Sequence, residues 1–229
     1  MRRLLTIVAA WSLLIALAWA AINFGGGTHN TAALGTTITA TYSPTAGNQI
    51  VAWVDTGAAV TGLSCADNNS HALTPGPTVT ISGVNLAGFY GTAITGATSY
   101  VCSWTTSTTP SITLEEYSGV SSVNATLSGN TASGSTSPAT ITVTTQDNND
   151  WIVGGLAASS QTLTVTVGNS RQAVTTTAVR QVLVDNTVAT AGSLTLTATL
   201  TNANWAAAVI ELRTAAGGTI RRRGQVIQQ

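Results

Sequence analysis

The chain has 229 residues, of which 44% are apolar and only 7% are charged, and it contains no lysine. Its eight arginines balance its eight acids, but five of the arginines lie near the two ends of the chain. The body between residues 4 and 220 therefore holds three arginines against eight acids, a net charge of −5. An acidic body without a basic stripe argues against nucleic acid as a partner.

The first twenty residues have the composition of an export signal. Arg2 and Arg3 precede the apolar run 4–18, and Ala18-Trp19-Ala20 supplies the small-x-small pattern of a cleavage site. We predict a signal peptide over residues 1–20, cleaved after Ala20. An uncleaved anchor is the alternative, because the uncharged stretch approaches the roughly 20 residues that span a bilayer. Contact with a membrane is expected only through an uncleaved leader, and both alternatives place the body in a secreted, extracellular or cell-surface location.

The two cysteines, Cys65 and Cys102, agree with export. In an oxidising compartment a disulfide between them is the simplest arrangement. Closing a loop of this length would stabilise the fold by about 4 kcal/mol. Two buried free thiols are the alternative.

Residues 35–213 show about a dozen short stretches in which apolar and polar side chains alternate, separated by turn residues, with no helical pattern. Threonine dominates the polar positions, and it favours strands. This spacing predicts an all-β sandwich or barrel. We expect residues 21–34, with Gly25-Gly26-Gly27, to be a flexible lead-in and residues 214–229, with Arg221–Arg223, to be a tail. No internal repeat of fixed period is visible.

A hairpin over residues 98–118 is expected to organise the domain, because its second strand is strongly apolar on one side. Glu116 falls on that apolar side, where a carboxylate needs a partner. We predict that Glu116 is a structural residue of the core, which accepts hydrogen bonds from loop backbone or pairs with Arg171 or Arg180. A contact with a ligand is the alternative role.

Metal and catalytic signals are weak. Asp67, Asp147 and Asp150 are candidate calcium ligands in Asp/Asn runs, but these residues also favour turns, and neither run matches a calcium-binding loop. His29 and His71 are too few for a zinc site and lack the setting of a catalytic triad. We therefore expect no catalytic residue and no cofactor, with calcium as the alternative.

The aromatic and threonine side chains allow two interpretations. Four tryptophans lie in apolar strand runs: Trp53, Trp104, Trp151 and Trp205. Core packing is the simpler role for them, and a sugar-stacking platform is the alternative. The uncharged threonine rows serve strand propensity and solubility, or they provide flat faces for a neighbouring molecule or a polysaccharide.

Four motifs occur together in a familiar order. They are Asp67-Asn68-Asn69, Glu116-Tyr117-Ser118-Gly119-Val120, Asn149-Asp150-Trp151-Ile152-Val153-Gly154-Gly155 and Trp205-Ala206-Ala207-Ala208-Val209-Ile210. Over residues 36–213 the chain resembles a jelly-roll-like β-sandwich module of secreted and surface bacterial proteins and phage-associated proteins. The resemblance implies a single jelly-roll-like antiparallel sandwich with an adhesive or structural role and no shared catalytic residues. The cysteines and the arginine tail are not part of the pattern.

The sequence therefore predicts a non-catalytic, exported structural or adhesive module. We expect it to associate with copies of itself, as an extracellular filament or surface layer, or with a cell-surface polymer. Segments 21–31 and 214–229 are the candidate contacts, because extended segments can add to the sheet of a neighbour. The alternative function is a carbohydrate-binding module of jelly-roll type.

Overall fold

The computed structural model describes residues 21–175 and 179–214. The predicted signal peptide and residues 215–229 of the predicted tail lie outside this part of the chain. The described residues form strands and no helix, as the sequence predicts. These described residues contain no helix with the length and apolar character needed to cross a membrane.

Seventeen strands are present in the described residues. In chain order they are β1 (Asn23–Thr31), β2 (Gly35–Thr41), β3 (Gln49–Asp55), β4 (Ser64–Asp67), β5 (Thr74–Ile81), β6 (Val84–Thr92), β7 (Ser99–Thr108), β8 (Ser111–Ser118), β9 (Ser122–Asn124), β10 (Thr131–Gly134), β11 (Ala139–Thr144), β12 (Asp150–Ser159), β13 (Thr164–Val167), β14 (Asn169–Val174), β15 (Val179–Val188), β16 (Ser193–Thr199) and β17 (Trp205–Arg213).

These strands form four antiparallel sheets. The first main sheet has the order β1-β8-β3-β6-β5, and the first outer sheet has the order β2-β7-β4. The second main sheet has the order β10-β17-β12-β15-β14, with β9 also on β17, and the second outer sheet has the order β11-β16-β13. Strands β1–β8 therefore make a first unit of two sheets, and β9–β17 make a second.

The two units repeat one topology. Adding nine to each strand number of the first unit reproduces the strand order of the second unit in both of its sheets. The sequence alone predicts one sandwich and shows no repeat of fixed period. Strand lengths and loops differ between the units, so the repeat lies in the order of pairing and leaves no fixed period along the chain.

Three hydrophobic cores hold the sheets together. The first core lies inside the first unit and includes Ile50 and Leu114, and the second lies inside the second unit and includes Ile152 and Leu196. The third core joins residues of the two main sheets. Each main sheet is therefore buried on both faces. Strand β3 has the composition this requires, because its side chains are apolar on both sides.

Trp53 is the largest side chain of the third core and is fully buried. A Cβ atom placed on Gly88 of the same sheet would lie 2.6 Å from its ring, and one placed on Gly155 of the other sheet would lie 2.7 Å from it. Both glycines are therefore needed for the indole to fit. Across the same interface, the Gln181 amide donates a 2.8 Å hydrogen bond to the backbone carbonyl of Trp53.

The packing of the two units is reciprocal. Strand β17 contacts β5 and β6, and its counterpart β8 contacts β14 and β15, which are the counterparts of β5 and β6. Likewise, β10 contacts β5 while β1 contacts β14. Such exchange of equivalent surfaces is the pattern of a two-fold dimer interface. The chain thus packs its two units as an internal pseudo-dimer.

The prediction of a flexible lead-in is wrong for residues 23–31, which form β1. This strand pairs with β8 over its whole length. A glycine run is typical of a linker, but a glycine-rich strand is also favoured where another group approaches its backbone closely.

Gly155→Ala tests the central contact between the units. The new methyl group would meet the Trp53 ring at 2.7 Å, so we expect the free energy of unfolding to fall by about 1–3 kcal/mol. Urea denaturation followed by tryptophan fluorescence measures this change. Gly35→Ala is the matched control, because its nearest neighbour would lie at 3.6 Å and the cost should stay within about 0.5 kcal/mol. Equal stability of both variants would contradict the role of Gly155.

Candidate functional site

Cys65 and Cys102 form the predicted disulfide. They are register partners on β4 and β7 of the first outer sheet, and both are buried. The bond therefore ties two neighbouring strands together. A buried disulfide fits an oxidising, extracellular compartment.

The pairing of β1 with β8, which we call the β1–β8 seam, is the candidate site for assembly. The register runs from Asn23 opposite Ser118 to Thr31 opposite Ser111. On its other edge β8 pairs with β3. Residues Ser111 to Tyr117 of β8 are all buried, so β1 covers the edge of a strand that is otherwise part of the interior.

The three glycines of β1 lie too close to neighbouring groups to accept a side chain. A Cβ atom on Gly25 would lie 3.2 Å from the Glu116 carboxyl carbon, and one on Gly27 would lie 2.5 Å from the Leu114 carbonyl oxygen. Gly26 has a φ of +140°, and its Cβ would meet the Tyr42 hydroxyl at 2.7 Å. Other residues would lift β1 away from β8, so the glycine run acts here as a close-packing segment.

Glu116 lies under this segment and is only 4% exposed. Its carboxylate accepts hydrogen bonds from the Tyr42 hydroxyl at 2.8 Å, from the Thr45 backbone N–H at 2.9 Å and from the Asn48 amide. Burial acts to raise the pKa of Glu116, but these hydrogen bonds outweigh it and hold that pKa below its ordinary value. The side chain therefore anchors the loop between β2 and β3.

The arginines proposed as partners of Glu116 have other contacts. Arg171 pairs with Asp185, with 2.7 Å between Nε and Oδ2. Arg180 donates a 2.6 Å hydrogen bond to the Thr162 hydroxyl. Of the two roles expected for Glu116, the structure shows hydrogen bonding from loop backbone rather than an ion pair with Arg171, because β14 places that arginine at the junction of the two units.

Glu211 is the counterpart of Glu116 in the second unit. Glu116 is the register partner of Ile50 on β3, and Glu211 is the partner of Ile152 on β12. Its carboxylate accepts a 3.2 Å hydrogen bond from the backbone N–H of Gln146, in the loop between β11 and β12. Both units thus use a buried carboxylate of their last strand to hold the same loop.

The opposite face of β8 carries a second polar cluster, at the junction of the units. The Tyr117 hydroxyl lies within hydrogen-bond distance of the Glu115 carboxyl, and 3.0 Å from Oδ2 of Asp185. Because a hydroxyl has one proton, it cannot donate to both acids. Burial raises the pKa of Glu115 well above its ordinary range, and Arg171 balances the charge of Asp185. The Tyr117 hydroxyl thus lies between a carboxyl whose pKa is raised by burial and a carboxylate paired with Arg171, and it joins β8 to β15.

Strand β1 contacts this junction as well. The Arg171 guanidinium lies 4.4 Å from the centre of the Phe24 ring, a favourable cation–π distance. Nδ1 of His29 lies 3.0 Å from Oε1 of Gln172. The first strand is thus held by β8 of its own unit and by β14 of the other unit.

Asp67 stabilises the turn that follows β4. Its Oδ1 accepts hydrogen bonds from the backbone N–H of Asn69 at 2.8 Å and of His71 at 3.0 Å. The His71 ring lies beside the same oxygen, at 3.5 Å. This is the turn chemistry that was the alternative to calcium binding.

The other two calcium candidates also lie apart from any ligand set. Asp147 pairs with Arg213 at 3.5 Å, and Asp150 accepts a 3.1 Å hydrogen bond from the backbone N–H of Thr214. In residues 21–175 and 179–214, no three side chains suited to a metal ion come together. The structure therefore offers no support for a calcium site there.

The tryptophans are packed inward to different degrees. Trp53, Trp104 and Trp205 are buried, and Trp151 is partly buried beside Tyr117. The exposed large apolar residues of the described chain are aliphatic: Leu34, Val101 and Val167. The outer sheets instead present threonines, such as the cross-strand pair Thr142 and Thr195, whose hydroxyls lie 2.9 Å apart.

Asp55 is a further buried acid, outside the candidates that the sequence predicts. At the end of β3, its Oδ1 accepts hydrogen bonds from the backbone N–H of Gly57 at 2.8 Å and of Asn85 at 3.0 Å. Its Oδ2 is buried without a hydrogen-bond partner in the described structure. Burial raises the pKa of Asp55 to about 7. The sequence signal for this buried acid is its position at the end of the apolar run of β3.

Comparison of the chain with protein families, with curated proteins and with solved structures gives no match.

Glu116→Gln tests the anchoring of the β2–β3 loop. The amide lacks the charge that strengthens three hydrogen bonds, so we expect unfolding to become easier by about 1–2 kcal/mol. Hydrogen exchange should show a faster-exchanging Thr45 amide. Glu211→Gln is the matched control and should affect the Gln146 amide instead. Unchanged protection of Thr45 in Glu116→Gln would show that the loop is held by other contacts.

Asp55→Asn tests the titration of the buried acid. Below pH ~4 Asp55 is protonated in both the folded and the unfolded state, and stability is highest. As pH rises to 7, only the unfolded state ionises, so this group lowers stability by about 4 kcal/mol, with no further change above pH ~7. The variant should lack this loss in urea denaturation measured between pH 4 and 8. Parallel pH profiles of wild type and variant would contradict the raised pKa.

Proposed function

We propose that the protein is an exported, non-catalytic structural module that assembles with copies of itself by exchanging β1. In the assembled form, β1 of one copy would pair with β8 of the next, in the register that the single chain uses. The observation that carries this proposal is the β1–β8 seam: one terminal strand covers the edge of the most buried strand of the first unit.

Three features support exchange of this strand in particular. The strand lies at the start of the described chain, next to the predicted leader. It is also an edge strand, so its displacement would break only its pairing with β8. Only residues 32–34 connect it to β2, and Leu34 in this connection is 71% exposed. The glycine run allows the incoming backbone to lie directly over Glu116. Addition of a strand to a sheet edge is an established mode of association between proteins.

The finer description of the fold belongs to the same proposal. Strand order 1-8-3-6 in one sheet and 2-7-4 in the other is the order of a jelly roll in which strand 5 joins strand 6. We interpret the chain as two such units in tandem. The uncharged outer sheets favour close association, because they carry threonines in place of repelling charges.

The alternative function is carbohydrate binding. It requires at least two exposed aromatic side chains on one face, and three of the four strand tryptophans are buried. We therefore favour self-assembly, and glycan binding is an outcome that the tests below would reveal.

Electron microscopy of the secreted protein tests the assembly directly. We expect filaments or sheets from the wild-type chain and none from a chain lacking residues 22–31. A synthetic peptide of residues 22–31, added during refolding, should occupy the β8 edge of that variant and leave it monomeric and soluble. Monomers of the wild-type protein at all concentrations, together with glycan binding, would favour the alternative.

Paired cysteines test the exchange itself. In the variant N23C/S118C the new thiols are register partners, so oxidation within assemblies should link different copies into a ladder on a non-reducing gel. The control T31C/S118C places the thiols at opposite ends of β8 and should give no ladder. Intrachain bonds alone in N23C/S118C assemblies would show that β1 stays with its own chain.

A further inference from the structure

A cavity of about 460 Å³ lies where the described chain begins and ends. Its lining includes Ala21 and Ile22 before β1, Asp150 and Trp151 at the start of β12, and Thr214 after β17. Ile22 is 3% exposed and belongs to the third core. Ile22 is therefore packed into the third core, and the exposed Ala21 next to it lies at the cavity.

Asp150 is an incompletely satisfied acid in the wall of this cavity. The residue is fully buried, and Oδ1 accepts the hydrogen bond of the Thr214 backbone. Oδ2 has no hydrogen-bond partner within the described residues. A buried carboxylate is costly unless a cation or further donors satisfy it.

The surroundings of Asp150 favour a positively charged partner. Burial raises its pKa, the carboxylates of Glu211 and Asp147 raise it further, and Arg213 lowers it. Arg213 already pairs with Glu211 at 2.8 Å and with Asp147 at 3.5 Å. Three carboxylates therefore share one arginine, and one more cation in the cavity would reduce the local charge from −2 to −1.

Cleavage of the predicted leader would create such a cation at this place. Hydrolysis of the Ala20–Ala21 peptide bond by a signal peptidase consumes one water. It leaves a carboxylate on Ala20 and an ammonium on Ala21. The Asn23 amide donates a 2.8 Å hydrogen bond to the Ala21 carbonyl, which fixes the backbone of the new terminus beside the cavity.

We propose that Asp150 receives the α-ammonium of Ala21, so that removal of the leader completes the cavity with an ion pair that the precursor cannot form. Asp150 is thereby a processing-dependent anchor for the start of β1. This inference rests on cleavage after Ala20 and is independent of strand exchange between copies.

The test uses the exported, mature protein, whose intact mass should give Ala21 as the first residue. Because the chain has no lysine, reductive methylation with ¹³C-formaldehyde labels the α-amine alone and keeps its positive charge. Its NMR signal is titrated with pH. The ordinary pKa of an α-amino group is about 7.7–8.0, and a carboxylate partner should raise it by about 1 or more.

Asp150→Asn should return the amine pKa to its ordinary value, while its amide oxygen can still accept the Thr214 hydrogen bond. Asp147→Asn is the matched control: it removes one nearby negative charge from an exposed side chain and should leave the raised pKa in place. If Asp150→Asn does not fold, a Gly-Ser dipeptide added before Ala21 moves the ammonium away, and its pKa should become ordinary.

Three results with these variants would overturn the proposal, and a fourth comes from the tail variant described below. They are a mature terminus other than Ala21, an ordinary amine pKa in the wild-type protein, and a raised pKa that survives Asp150→Asn. The arginines of the tail are the competing source of a cation. The variant R221Q/R222Q/R223Q should leave the amine pKa unchanged; a higher pKa in this variant would show that the tail occupies Asp150 and would also overturn the assignment.

Discussion

The indole of Trp53 packs between the two main sheets, against Gly88 of its own sheet and Gly155 of the other. Around it, each main sheet buries a second apolar face, so neither unit could leave that face in water. This mutual coverage decides the remaining architecture. The outer sheets need to cover only one face of each main sheet, and their own outer faces remain polar. Strand β1, the first strand of the described chain, lies where the two units meet, in contact with Arg171 and Gln172.

Charged groups are scarce in this chain, and most of its acids are placed inside it. Glu116 and Glu211 hold equivalent loops through hydrogen bonds, which keep a carboxylate stable in the interior without requiring a lysine. Glu115 and Asp185 share the Tyr117 hydroxyl between the units. The acids are therefore structural groups that fix the relative positions of strands and loops. A surface with few charges follows from the same arrangement.

Local alternation in the sequence predicts the all-β class and the inward direction of Glu116, because both depend on neighbouring residues, and two cysteines in an exported chain predict the disulfide. It could not predict the third core. On β8 the polar positions Ser111, Thr113 and Glu115 alternate with apolar ones, and this pattern is the same for a face in water and for a polar interface. The order of strand pairing is equally hidden, since long-range partners leave no local pattern. The glycine run shows the same limit: glycine favours both flexible linkers and close backbone contact.

The reciprocal packing of the two units has a consequence for how the molecule withstands dilution. Two separate copies of such a unit would bury their apolar faces only above the concentration at which they associate. Joining them in one polypeptide makes this association intramolecular, with an effective concentration set by the connection rather than by the surroundings. Because the two units are joined in one chain, each can have its own stabilising contacts. The disulfide occurs in the first unit, and the ion pair of Arg213 with Glu211 occurs in the second.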